Sequence, residues 1–120
     1  MKLLSEIAIG LVALEAFYIL YIEMFAWTTK GPKIFKGFPK DLFVPTKSLA
    51  ANQGLYNGFL GAGLVWSLLI TDPQWSVNVA CFFLGCIIVA GVYGALTAQK
   101  SIFFTQAMPA IIALALTLLR

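Results

Sequence analysis

The chain has 120 residues, 61% of them hydrophobic and 11% charged, with eight basic and five acidic side chains giving a net charge of +3. Soluble domains run near 45–50% apolar and about 25% charged, so this composition argues against one and points to a bilayer. At about 20 residues per crossing, the length holds a single domain with four spans and no separate soluble catalytic domain.

The first apolar run, Leu3 to Trp27, predicts a membrane-spanning helix. At roughly 1.5 Å per residue it outruns a hydrocarbon core of about 30 Å, which calls for tilt or an interfacial end. Glu6, Glu15 and Glu23 interrupt it and no small-residue cleavage site follows, so it reads as a retained helix and not as a signal peptide. The connection after it carries Lys30, Lys33, Lys36, Lys40 and Lys47, five of the seven lysines, interleaved with Ile34, Phe35, Phe38, Leu42 and Phe43. That pattern suits a segment along the headgroup layer, apolar side inward and ammonium groups outward. Pro32 and Pro39 predict short helical or turn pieces instead of one long helix. The basic stretch is a short link between apolar runs, so no nucleic-acid partner is expected.

Three further runs follow, Ser48 to Ile70, Trp75 to Thr97 and Ile102 to Leu119. Thr71-Asp72-Pro73 supplies a turn in which Asp72 caps the next helix and Pro73 occupies its first position. Gln99-Lys100-Ser101 is the corresponding turn before the last run, with Ser101 as its cap. Cys81 and Cys86 stand five apart in an apolar run, matching neither a redox pair nor a zinc spacing, and read as small core residues. The predicted fold is all-α: four transmembrane helices, about 3–27, 48–70, 75–97 and 102–119, in an antiparallel bundle with a basic interfacial loop between the first two. Six lysines on the loop side against Lys2 and Arg120 on the other put the basic loop in the cytoplasm and both termini outside. No internal repeat stands out.

Counting depths places most of the polar side chains in one leaflet. Glu23 lies four residues before Trp27, roughly 6 Å below the loop end of its helix. Asn52 and Gln53 lie at a similar depth on the second helix, with Tyr56 and Asn57 one turn deeper. Tyr93 and Thr97 of the third helix and Thr105 and Gln106 of the fourth fall in the same layer. The other half is expected to be apolar apart from terminal groups and Glu15, near the middle of the first helix. At about 100° per residue Glu15 and Glu23 are about 80° apart, so both can face one interior. An ionised carboxylate at mid-bilayer costs on the order of 2.5–3.5 kcal/mol, so Glu15 should be protonated, hydrogen-bonded to a neighbouring helix, or in contact with a water-filled cavity.

The second helix shows two faces. Asn52, Tyr56, Gln53 and Asn57 spread over about 140° as a polar face, while Gly54, Gly58 and Gly61 form a second face on which a helix backbone can approach closely. Pro109 is expected to kink the last helix and free the carbonyl near Thr105.

Glu15 with Tyr18-Ile19-x-Tyr21-x-Glu23-Met24-Phe25-x-Trp27, then Leu49-Ala50-Ala51-Asn52-Gln53-Gly54-Leu55-Tyr56-Asn57-Gly58-Phe59, then Gln106-x-x-Pro109-Ala110, resembles DUF1304, a family of small bacterial integral membrane proteins of unknown function. The resemblance spans nearly the whole chain and is most specific over Asn52 to Phe59. It implies four transmembrane helices in a bacterial inner membrane and no assigned activity. The chain departs from the expected family pattern at Ala16, in place of a histidine. With no histidine anywhere, a metal site would rest on carboxylates and amides alone, which suit hard cations; no metal or cofactor is expected.

The leading expectation is therefore binding or transport of a small amphiphilic or cationic compound or a lipid headgroup, entering beside the basic loop. Glu23 is the charged anchor, Asn52, Gln53, Tyr56, Asn57 and Gln106 orient the ligand, and Trp27 or Tyr93 stacks on it, with Glu15 deeper in the site. A second expectation is a membrane-embedded enzyme using Glu15 or Glu23 as general acid or base on a lipid-soluble substrate, although no G-x-S-x-G, P-loop or G-x-G-x-x-G is present. A third is an assembly role in which the glycine face makes a homo-oligomer, most simply a dimer, with membrane lipid as the other partner.

Overall fold

In the computed structural model, which describes residues 1–98 and 100–120, the long apolar runs are helices. They are α1 (Lys2–Phe25), α3 (Lys47–Leu69), α4 (Pro73–Thr97) and α5 (Met108–Leu118), with a short α2 (Gly31–Ile34) and a 3-10 turn (Lys40–Leu42) in the basic connection. Among the described residues there is no strand. Of the four predicted spans, α1 and α4 are long and apolar enough to cross a membrane. The third helix has the length, but Lys47, Asn52, Gln53 and Asn57 crowd its first half, and the last apolar stretch is shorter. Asp72 caps α4 as expected, its carboxylate accepting from the backbone N–H of Trp75 at 2.9 Å, with Pro73 at the first position. Gln99 of the predicted second turn lies outside the described residues, and Ser101 is already in helical backbone.

The helices form a closed ring in which α1 touches α3 and α5, and α4 touches the same two. Small residues set the approaches. Gly54 faces Glu23 and Met24 of α1, Gly58 faces Leu20, and Gly61 faces the Phe17 ring, so the glycine face packs within the chain. The expected dimer face at Gly54, Gly58 and Gly61 is therefore occupied by α1 of the same chain. Gly63 lies against the Phe83 ring of α4, and at Gly91 a Cβ would stand 2.8 Å from the backbone nitrogen of Ala107. The buried core, including Ile9, Val12, Leu64, Leu84, Ile87 and Ala113, fills the half of the bundle away from the basic loop.

Beyond that core the outer end is not simply apolar, contrary to expectation. Ser5, Ser67, Ser76 and Thr117 are buried there. The Ser76 hydroxyl donates to the Ser67 carbonyl at 2.8 Å, and the Arg120 guanidinium donates to the hydroxyls of Ser5 and Ser76. Single hydroxyls carry too weak a hydropathy signal to reveal such a cluster before the helices are assembled.

At the loop end, the aromatics turn onto one another instead of toward acyl chains. The Trp27 ring stands 4.7 Å from Phe43, 5.5 Å from Phe35 and 5.6 Å from Phe38. Its indole N–H donates to the Thr46 hydroxyl at 3.0 Å, which itself donates to the Leu42 carbonyl at 2.6 Å. Gly31 lets the Phe43 ring approach, since a Cβ there would be 2.9 Å from it. Short helical and turn pieces do form here, and they close over a small aromatic core.

The last helix does not kink simply at Pro109. Residues Phe103–Ala107 form a π turn, in which the Met108 N–H reaches back five residues to the Phe103 carbonyl. Proline has no N–H to offer residue 105 and its ring crowds that carbonyl, and the widened turn absorbs the mismatch.

Candidate functional site

The two tight pairs, α1 with α3 and α4 with the π turn and α5, meet at the apolar core and leave space between them at the loop end. There they enclose a cavity of about 660 Å³, within the range of small-molecule sites. Its walls include Glu15 and Glu23 of α1, Gln53, Tyr56 and Asn57 of α3, Tyr93 and Thr97 of α4, and Thr105 and Gln106 of the π turn. Phe35, from the connection, touches both this cavity and the Trp27 ring. Tyr56 and Tyr93 line it while 58% and 68% exposed, so the cavity reaches the outer surface of the bundle at α3 and α4.

Glu23 is 4% exposed. One carboxylate oxygen accepts from Gln53 Nε2 at 3.0 Å and the other from Asn57 Nδ2 at 2.7 Å. Gln53 and Asn57 are four apart on α3, about 40° in angle, and the glycines beside them bring that strip within reach of α1. The two hydrogen bonds fix the orientation of the carboxylate at the wall. Both partners are neutral amides, and among the described residues no lysine or arginine lines the cavity. Glu15 and Glu23 share this cavity, and Glu15 also borders an adjoining compartment of about 20 Å³.

Seven of the nine residues singled out from the sequence line the cavity: Glu15, Glu23, Gln53, Tyr56, Asn57, Tyr93 and Gln106. Asn52 does not. It is exposed, because packing Gln53 and Asn57 toward α1 turns Asn52, at least 100° away, to the outside. Trp27 lies in the aromatic core of the connection and not on the cavity wall. Tyr18 and Phe35 are lining residues that sequence reasoning missed. Tyr18, three positions after Glu15 on one helix, could have been found by spacing. Phe35 sits in an irregular segment with no period to read. At the loop surface Lys30 donates to the Tyr21 hydroxyl at 3.1 Å, and this bond raises the lysine pKa above its ordinary value.

A family model described as a protein of unknown function (DUF1304) matches residues 10–118. The chain is also 38% identical over 116 residues to the uncharacterized protein YpaA of Lactococcus lactis subsp. lactis (strain IL1403), an alignment covering 95% of this chain and 96% of that protein. No solved structure matches the chain.

Proposed function

For a chain that belongs to DUF1304, a family of unknown function, we propose a role drawn from the cavity: the protein crosses a bacterial inner membrane four times and binds, or carries across, a small amphiphilic cation in the pocket beside its basic loop. The observation that carries this reading is Glu23, a carboxylate held by two amides at the wall of a cavity that has no positive side chain among the described residues. A positively charged ligand head supplies the missing counter-charge. Tyr18, Phe35, Tyr56 and Tyr93 offer ring faces to its charge and its apolar body.

The membrane setting is supported by shape and surface. The molecule is 47 Å long, close to a bilayer with its headgroup regions at about 40–45 Å. Leu3, Leu14, Leu69, Phe82, Val89 and Leu96 are each more than half exposed, an apolar exterior that suits lipid. The lysines of the connection favour its placement on the cytoplasmic side.

The test is binding of tetraphenylphosphonium to the purified chain in lipid nanodiscs, measured by calorimetry. Wild type should bind, and Glu23→Gln, which keeps the shape and loses the charge, should bind about tenfold more weakly or worse. Equal affinity in the two proteins, or no binding by wild type, overturns the reading.

A further inference from the structure

A compartment of about 20 Å³ adjoins the main cavity, sharing Glu15, Asn57 and Gln106 with it, and has room for one water-sized particle. Its polar walls come from three separate segments: Glu15 of α1, Asn57 of α3 and Gln106 of the π turn. The remaining walls, such as Val12, Leu60 and Ile87, are apolar. We propose that this compartment is a site for one sodium-sized monovalent cation, coordinated by the Glu15 carboxylate and the carboxamide oxygens of Asn57 and Gln106.

Several features select that occupant. The three side chains offer oxygens, the donor set of a hard ion, and nitrogen or sulfur ligands are not among the walls. A single carboxylate matches a single positive charge, whereas calcium sites gather more oxygens and more charge. Asn57 commits its amino end to Glu23 at 2.7 Å, which leaves its carbonyl oxygen as the free acceptor. The π turn carries Gln106 to the same wall, in a kind of distortion that clusters at functional sites. Glu15 sits midway along α1, where an ionised group needs a partner, and among the described residues no lysine or arginine lines the compartment. Glu15, Asn57 and Gln106 also line the larger cavity, but the inference does not require that cavity to take an organic cation.

The experiment is thermal unfolding of the full chain in nanodiscs, titrated with sodium chloride against caesium chloride at constant ionic strength, with sodium-23 NMR linewidth as a second readout. Sodium should raise the midpoint saturably, by about 4 °C or more, while the larger caesium ion does not. Glu15→Gln and, independently, Gln106→Ala should each weaken the apparent sodium affinity about tenfold or more. If Glu15→Gln does not fold, Gln106→Ala and the wild-type titration still decide. No difference between sodium and caesium together with an unbroadened sodium signal means that the compartment holds water only and overturns the proposal, as does a sodium effect unchanged in both variants. Loss of tetraphenylphosphonium binding with the sodium effect intact removes only the cavity reading.

Discussion

The half of the bundle around Leu84 and the half around Glu23 are built from the same helices, yet they solve opposite problems. Around Leu84, aliphatic side chains meet across all four long helices. Around Glu23 the helices pair off two by two, glycines drawing α3 onto α1 and the π turn onto α4, and a void opens between the pairs. Tight pairing inside each couple is what makes the space between couples possible. The closed half fixes the angle at which the open half gapes.

This contrast can be broken from either side. The largest effect is expected at the hinge of the closed half: Leu84→Ala, at a fully buried position, should cost about 2–5 kcal/mol in unfolding by mixed-micelle denaturation. If stability is unchanged, the closed half is not what holds the pairs together. Next comes a comparison along α4. Gly91→Ala pushes a methyl into the backbone of Ala107 and should cost about 1–3 kcal/mol, whereas Gly85→Ala, with nothing within 4 Å, should stabilise by about 0.5–1 kcal/mol. Equal effects at the two glycines would show that the α4 to π-turn approach is not close. The smallest effect belongs to the polar wall. A double-mutant cycle between Glu23→Ala and Asn57→Ala should give a coupling of about 1 kcal/mol, and additivity would mean that the 2.7 Å bond adds nothing to stability.

What could be read beforehand follows the range of the forces involved. Helix ends came within about two residues where a local device sets them, as at Asp72 and Pro73. The placement of Glu23, Gln53 and, one turn deeper, Asn57 in one layer followed from counting rise per residue, which needs no tertiary knowledge. Choosing between Asn52 and Gln53 did need it, because the roll of α3 about its axis is fixed by where Gly54 and Gly58 touch α1. Trp27 was misplaced for a similar reason: its neighbours Phe35, Phe38 and Phe43 come from an irregular connection whose path no periodicity encodes. Pro109 announced a disturbance, but not that the chain would answer it with a five-residue step.

That step has a consequence for how the last helix is laid out. One surplus residue in a helical turn shifts the phase of everything on its loop side by about 100° relative to the stretch beyond it. Ala110 and Ala113 can therefore keep their bearing toward the core while Gln106 is aimed independently, as though a swivel joined two separate rods. Removing one residue between 103 and 107 would lock that swivel, and the amide and the alanines could no longer both face inward.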